Sequence, residues 1–307
     1  MASLRDIRNR IASVKNTQQI TRAMKMVAAA KLRKAQERIF TARPYAFKIR
    51  ELIGHLRERV DPNAHPLFQV REEGGPVLLI VVTSDRGLAG AFNTNILKRA
   101  QQLVDEDYAD AHARGDLHIL AVGRKGHEYF ANRGYTLVGD YRGLFNDLDF
   151  KQAQRVAQIA TEGFLSGEYA AVDVVYNEFK NTIAQNRIAE RILPIPADAF
   201  VTPVMEASDD YGDPVEGASD VDYIFEPDAE TILERLVPRF VTYQVWRALL
   251  ESNASEQGAR MVAMDNATTN AGELLKDLKL TYNRARQAAI TTEIIEISSG
   301  ADALAAG

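Results

Sequence analysis

The chain has 307 residues with a net charge of −5, and its 46% hydrophobic and 26% charged residues are typical of a folded protein with one large domain or two smaller ones. It contains no cysteine, which excludes disulfide bonds, thiolate catalysis and zinc sites with cysteine ligands. No apolar run approaches the roughly 18 residues that span a bilayer, and the first residues lack the apolar core of a secretory signal, so we expect a cytosolic protein.

The charge is unevenly distributed along the chain. Residues 1–58 carry fourteen lysines and arginines against four acidic residues, so the remainder is strongly acidic. A basic helix of this kind is either an ordinary solvated helix or a binding surface for a partner, and nucleic acid is one candidate. The basic residues are spread around the helix and lack the interleaved aromatic residues of single-strand binders, which speaks against nucleic acid.

Residues 1–58 are predicted to form one long helix. No proline occurs before Pro44 and no glycine before Gly54, and Ser3 with Asp6 resembles a capping box. Steps of three and four residues from Leu4 follow a heptad seam with a polar interruption in its middle. The seam positions are Ile7, Ile11, Val14, Gln18, Thr21, Lys25, Ala28, Leu32, Ala35, Ile39 and Ala42. Beside the interruption, Ile20, Met24 and Val27 form a displaced apolar stripe, so we expect the seam to drift there.

The middle of the chain alternates between strands and helices. Residues 77–82 form a continuous apolar run typical of a strand buried on both faces, and residues 117–122 and 172–176 resemble it. Helical patterns near 93–110, 124–133 and 149–166 lie between and beside these runs. This order predicts a parallel sheet with crossover helices. Residues 182–195 alternate weakly and suit an edge or antiparallel strand.

The segment after the first strand lies where α/β sheets bind phosphates. Residues 83–93 read Thr-Ser-Asp-Arg-Gly-Leu-Ala-Gly-Ala-Phe-Asn, which matches neither GxxxxGK[ST] nor GxGxxG. A structural turn or a partner contact is therefore favoured over a nucleotide site. The five histidines have no metal-site spacing, GxSxG is absent, and the helical pair Glu293 and Glu296 suits a solvated surface. We predict no catalytic residue, no metal and no cofactor.

The last part of the chain is predicted to be a second long helix. Residues 205–221 are acidic and contain glycine, proline and serine, which predicts a surface loop, and Pro227 with Asp228 marks the helix start. Heptad steps continue without a break over five heptads, and many positions are small or polar, so a thin and modestly stable pairing is expected. The positions are Leu250, Ala254, Gln257, Met261, Met264, Thr268, Ala271, Leu275, Leu278, Tyr282, Ala285 and Ala289.

These elements predict an α/β protein in which the N- and C-terminal helices form a long antiparallel coiled coil beside a central Rossmann-like domain. The expected divisions are a helix at 1–58, the α/β domain at 75–205, an acidic loop and foot segment at 206–227, and a helix at 228–300. Two functional classes remain alternatives at this point. One is a nucleotide-binding enzyme with coiled-coil arms, and the other is a self-associating coiled-coil scaffold.

Several motifs resemble those of the γ subunit family of F-type ATP synthases, in the order in which that family has them. The end of the chain, Ile290-Thr-Thr-Glu-Ile-Ile-Glu-Ile-Ser-Ser-Gly-Ala301, is similar to the family signature. The other matching segments are 7–14, 20–30, 42–45, 83–88, 256–264 and 282–287. The absence of a cysteine pair and of a basic presequence indicates the bacterial type rather than the chloroplast or mitochondrial one.

The resemblance implies a non-catalytic rotor. Its partners would be the α and β subunits, the ε subunit and the membrane c-ring, with the membrane reached only through that ring. The coiled coil would turn inside the α/β hexamer and couple proton-driven rotation to the catalytic β sites. A peripheral position on the cytoplasmic side of the bacterial inner membrane follows from this resemblance.

The resemblance also assigns contacts to individual residues. Three residues match positions that hydrogen-bond to the catch loop of β: Arg286, Gln287 and Thr291. Met24 matches a methionine near the β lever region, although plain core packing is an alternative, and Arg260 matches a position that pairs with the N-terminal helix or with β. Three residues of the foot segment match the c-ring contact: Tyr223, Phe225 and Glu226.

Overall fold

A computed structural model of the protein describes residues 3–59, 65–71, 74–196, 203–206 and 226–305. The chain divides into two compact units. The first, which we call the helical-pair unit, comprises the residues up to Val27 and those from Met261 onward. The second, the sheet unit, comprises Ala28–Arg260. Both terminal helices contribute residues to both units.

The first helix, α1, spans Leu4–Arg59, and the last helix, α7, spans Ala229–Ala305. The start of α1 is a capping box, in which the Asp6 amide donates to the Ser3 hydroxyl at 3.2 Å and the Ser3 amide donates to the Asp6 carboxylate at 3.1 Å. Asp228 caps α7 by accepting the Thr231 amide hydrogen at 2.7 Å. Both predicted helix starts are therefore confirmed.

The helical-pair unit is an antiparallel pair formed by parts of α1 and α7. The predicted seam positions from Leu4 to Lys25 and from Met261 to Ala285 are all buried or half-buried. The cross-helix polar contacts are Arg8 with the Tyr282 hydroxyl at 2.9 Å, Thr21 with the Thr268 hydroxyl at 2.8 Å, and Lys25 with Asp265 at 2.6 Å. Since the partner numbers fall in α7 as they rise in α1, the predicted antiparallel pairing is confirmed.

The predicted drift of the seam is wrong. Ile20 is 60% exposed and Val27 is 56% exposed, while Gln18, Thr21 and Lys25 keep the seam positions. The side chains of Gln18, Thr21 and Lys25 all bond to groups of α7. Because these polar groups are satisfied in the seam, α1 does not need to rotate to place the apolar stripe there. The displaced apolar stripe consequently faces outward.

The sheet unit contains a five-stranded sheet in the order β3-β2-β1-β4-β5. The strands are β1 (Val77–Val82), β2 (Leu117–Val122), β3 (Thr136–Leu137), β4 (Ala171–Phe179) and β5 (Gln185–Leu193). The first four are parallel, with Val77 opposite Leu117 on one side and Ala171 on the other, and β5 pairs antiparallel with β4. The prediction of a parallel sheet with an antiparallel edge strand is thus confirmed. Of the five strands, only the two-residue β3 was not predicted.

Helices pack against this sheet, whose central strand β1 is wholly apolar and buried. The helices between the strands are α2 (Phe92–Asp107), α3 (Ala109–Arg114), α4 (Arg124–Ala131) and α5 (Phe150–Ser166), and the one-turn α6 (Pro203–Glu206) follows β5. The side chains of Val77, Leu79 and Val81 pack with α2, α3 and α4 in one apolar cluster. Two single-turn 3₁₀ helices, Pro66–Phe68 and Leu144–Asn146, complete the unit.

Within the sheet unit, α1 and α7 also pack against each other. The seam positions Ala28, Leu32, Ala35 and Ile39 of α1 are all buried. The rings of Tyr45 and Tyr243 lie 4.3 Å apart. The acidic loop predicted at 205–221 and the foot segment fall almost wholly outside the described residues.

Candidate functional site

The end of α7 presents a surface that the rest of the described chain does not cover. We call residues 286–301 the tip, and every side chain in it is exposed. The seam ends at Ala285, and Ala289, which was predicted to continue it, is exposed as well. A partner outside this chain is the physical explanation for an uncovered helical surface that carries large apolar residues. Those residues are Ile290, Ile294, Ile295 and Ile297.

Three of the predicted contact residues lie on the tip. Gln287 and Thr291 are one turn apart and share a face, and Arg286 lies on the adjoining one. The Thr291 hydroxyl donates to the Gln287 carbonyl of its own helix at 3.0 Å. Within the described chain, the side chains of Arg286 and Gln287 have no hydrogen-bond partner. Their guanidinium and amide groups are therefore free to bind carboxylate or carbonyl groups of another protein.

Met24 lies in the helical-pair unit beside a second uncovered apolar group. Its side chain is half-buried, while Met26 is 62% exposed and Ile20 and Val27 are exposed next to it. The side chain of Met24 therefore meets both the helix pair and the surface. This position suits packing and a partner contact equally.

Arg260, at the end of the sheet unit, binds the loop that follows β1. Its guanidinium donates to the backbone carbonyl of Gly87 at 2.5 Å and to that of Arg86 at 3.4 Å, and it forms an ion pair with Glu256. Burial raises the pKa of the Glu256 carboxyl, and the charge of Arg260 opposes that rise. The bonds observed for Arg260 therefore join α7 to this loop.

The loop that follows β1 is held by a dense set of internal hydrogen bonds. The Thr83 hydroxyl donates to the Val122 carbonyl at 3.0 Å and accepts the Gly126 amide hydrogen at 2.8 Å. Ser84 and Asn93 bond to each other through both backbone and side chain. The side chains of Thr83, Ser84 and Asn93 are thus bonded within the fold, which supports a structural turn at this edge rather than a phosphate loop.

Sequence reasoning missed a group of buried charges between the sheet and α7. The Arg247 guanidinium donates to the Tyr176 hydroxyl at 2.7 Å and to the Gln244 side chain at 3.0 Å, and it pairs with Glu190. A charged residue among the apolar positions of α7 is the only signal that could have revealed it. Burial raises the pKa of the Glu190 carboxyl, and the nearby positive charge of Arg247 opposes the rise.

A second buried charge group joins β4 to its neighbours. Asp173 accepts hydrogen bonds from Tyr108 and from Arg191, and the Arg191 guanidinium also donates to the Tyr108 hydroxyl at 3.0 Å. Burial raises the pKa of the Asp173 carboxyl. The lone aspartate within an apolar strand is a visible sequence signal for such a group. Each charge in this group is paired, so we assign the group a structural role.

Of the predicted c-ring contacts, only Glu226 is described, and it is exposed. Tyr223 and Phe225 lie outside the described residues. Among the described residues, no helix is long and apolar enough to cross a membrane. Nor do they include a cluster of three histidine, aspartate or glutamate side chains that could hold a metal ion.

Comparison with known protein families and relatives gives a consistent result. The family model described as ATP synthase matches residues 3–304. The chain is 60% identical over 305 residues to the ATP synthase gamma chain of Salinibacter ruber, and the match covers 99% of each chain. It is 54% identical to the ATP synthase gamma chain of Chloroherpeton thalassium, again over 99% of each chain.

Solved structures give the same picture at the level of the fold. The central stalk of the Tetrahymena thermophila mitochondrial ATP synthase is 26% identical, with a TM-score of 0.55 over 81% of this chain and 99% of that one. A chain of the Euglena gracilis mitochondrial ATP synthase is 22% identical, with a TM-score of 0.63 over 99% of this chain and 95% of that one. Long terminal helices beside a mixed α/β domain are thus shared with these assemblies.

Proposed function

Because this chain belongs to the ATP synthase gamma-chain family, we propose that its exposed tip acts on the catalytic β subunits as the rotor shaft of a bacterial F-type enzyme. Members of this family are non-catalytic, since ATP is made on the β subunits. Rotation of the c-ring, driven by proton flow, would turn the chain, and the tip would carry that rotation to the three β subunits in turn. The uncovered tip is the observation that supports this role.

The arrangement of donors on the tip suits a rotating contact. Arg286, Gln287 and Thr291 occupy part of the helix circumference, so they would meet one β subunit at a time as the helix turns. Hydrogen bonds and ion pairs at a solvent-exposed surface contribute only about 0–1 kcal/mol each, so a small set can form and break without a large barrier. The contact is therefore specific in orientation and weak enough to be released.

Other contacts follow from the same family membership. We expect Met24 and its exposed neighbours to lie against the β lever region, and Tyr223, Phe225 and Glu226 to contact the c-ring. The ε subunit would bind the α/β domain. Arg260 stays a predicted β contact, although its observed bonds are internal. The chain would be peripheral on the cytoplasmic side of the inner membrane and reach the membrane only through the ring.

The contact assignment is tested by the double substitution Arg286→Ala with Gln287→Leu in the assembled enzyme. We expect coupled ATP synthesis to fall several-fold while the thermal unfolding midpoint of the chain stays unchanged, because both side chains are exposed and unbonded within the described chain. ATP synthesis in inverted membrane vesicles is the measurement.

Two threonines supply a matched control. The hydroxyls of Thr291 and Thr292 each donate to a carbonyl of their own helix at 3.0 Å, but the two side chains point about 100° apart. Thr291→Ala should lower synthesis and Thr292→Ala should leave it near the wild-type rate. Equal effects of the two substitutions, or full synthesis by the double variant, would refute the catch-loop contact.

A further inference from the structure

The carboxylate of Asp85 lies at the carboxyl edge of the sheet, surrounded by backbone donors. One of its oxygens accepts the amide hydrogens of Arg124 at 3.0 Å and Gly143 at 2.7 Å, and the other accepts that of Phe145 at 3.2 Å. The side chain of Arg124 also donates to the Asp85 backbone carbonyl at 3.0 Å. Asp85 is 8% exposed. Three backbone N–H groups from two separate segments therefore converge on one anion.

The position of this group follows from the sheet topology. Asp85 follows β1, and Arg124 opens α4 directly after β2, the neighbouring parallel strand. The carboxyl edge of a parallel sheet beside a helix start is where α/β proteins collect N–H groups around an anion. Gly143 has φ of +85°, a conformation that turns its N–H toward the carboxylate and that side-chain-bearing residues rarely adopt.

We propose that Asp85 is a built-in ligand, whose carboxylate fills a small-anion site formed by the backbone N–H groups of Arg124, Gly143 and Phe145. With the side chain in place, these three donors are bonded to the carboxylate and are not available to an external anion such as a phosphate group. With the carboxylate removed, the same three donors would bind a free monocarboxylate of matching size.

The internal ligand also determines how the loop meets α7. Three residues after Asp85, Leu88 has a left-handed φ of 64° and is 68% exposed, an unfavourable arrangement for a leucine. The carboxylate anchors the loop on one side of this residue, and Arg260 holds the carbonyls of Arg86 and Gly87. The filled anion site thus keeps the loop in the one conformation that α7 can bind.

Chemical rescue of Asp85→Ala in the full-length chain tests this proposal. Alanine removes the carboxylate and leaves a space that matches formate, so we expect the thermal midpoint to fall by roughly 5 °C or more. Sodium formate should restore part of that loss, beyond the effect of sodium chloride at equal ionic strength. Acetate, which is larger by one carbon, should restore less.

Wild-type protein and Asp140→Ala provide the matched controls, because Asp140 is an exposed carboxylate that also accepts a backbone N–H. Neither control should gain more from formate than from chloride. An Asp85→Ala chain that formate stabilises no more than chloride does, or that acetate stabilises equally well, would overturn the proposal.

Asp85→Asn covers the case in which the alanine variant does not fold. The amide has the same shape but no charge, and it turns an NH₂ group toward N–H donors. We expect the thermal midpoint of this variant to fall by roughly 2.5 °C or more. A midpoint equal to that of the wild type would show that the donors do not require an anion, and the proposal would fail.

Discussion

At the scale of single residues, the sheet unit depends on buried charges that are each surrounded by partners. Arg247 lies near two carboxylates, Glu190 in β5 and Glu251 in α7, and Glu178 in β4 joins them near the Tyr176 side chain. Burial disfavours the charged form of a carboxyl group, and the positive charge of Arg247 offsets part of that cost for Glu190. Burial raises the pKa of the Glu190 carboxyl, and the charge of Arg247 opposes that rise.

This group gives the sheet unit an unusual pH dependence. A carboxyl whose folded pKa lies above its unfolded value of 4.5 stabilises the fold fully below that value, and the contribution is lost as pH rises through the folded pKa. Glu190→Gln removes the titration. Above pH 4.5, we expect the wild type to lose more unfolding free energy with rising pH than Glu190→Gln does, because the folded wild type must release this proton.

Urea unfolding at several pH values measures this difference. Glu162→Gln is the control, since Glu162 is exposed on α5 and should follow the wild-type profile. The assignment to Glu190 would be wrong if the unfolding free energy of Glu190→Gln changed with pH as that of the wild type does. It would also be wrong if the variant lost stability relative to the wild type as the pH rises.

At the scale of elements, the long helices have a regular seam, but α7 also contains residues of low helix propensity. Gly258 and Gly272 interrupt α7 at positions where most residues would support the helix better. A Cβ at Gly258 would have its nearest neighbours, Phe179 and Thr182, at 3.4 Å, which is an ordinary contact distance. A Cβ at Gly272 would meet the flexible end of Gln18 at 2.9 Å. Neither glycine is required by the packing of the backbone.

Gly258→Ala should therefore stabilise the sheet unit. We expect the unfolding free energy to rise by about 0.5–1 kcal/mol, because alanine loses less backbone entropy on folding and meets no clash. The same change at Gly163 in α5 is the contrasting control, since its Cβ would lie 2.5 Å from the Tyr169 ring. Gly163→Ala should cost about 1–3 kcal/mol. Urea denaturation compares the two, and a destabilised Gly258→Ala chain would contradict the prediction.

At the scale of the whole molecule, the surfaces that stabilise the fold differ in charge and exposure from the surfaces that are available to partners. The seam positions of α1 are neutral apart from Lys25, so the basic excess of residues 1–58 belongs to positions outside the seam. The tip of α7 adds an uncovered apolar and hydrogen-bonding surface. A shaft that turns inside a ring of partners needs such surfaces, and the fold of the chain does not use them.

Deletion of residues 286–307 tests this separation. Because the side chains of 286–301 are exposed, the thermal midpoint of the shortened chain should stay within roughly 2 °C of the full chain. The amounts of α and β subunits that co-purify with it should fall. Deletion from residue 271 onward, which also removes the buried Ala271 and Leu275, should lower the midpoint. If the chain without residues 286–307 still co-purified with normal amounts of α and β subunits, a binding role for the tip would be refuted.

Much of this protein was determined by local pattern. The heptad steps predicted the buried side of both terminal helices, and the apolar runs predicted β1 and β2 to the residue, because helical and strand periodicity alone decide which side chains can share a face. The capping residues Ser3 and Asp228 act within one turn of the chain, so their roles were visible too. The motifs that resemble the gamma-chain family lie within continuous segments as well.

Other features depended on residues that are distant in sequence, and only the tertiary structure decided them. Ile20 and Val27 are exposed because polar seam residues found partners across the helix pair. Asp85 binds donors that lie about 40 and 60 residues away, and Arg260 reaches carbonyls about 173 residues away. A hydrogen bond requires particular distances and directions between its atoms, and periodicity along a chain does not contain them.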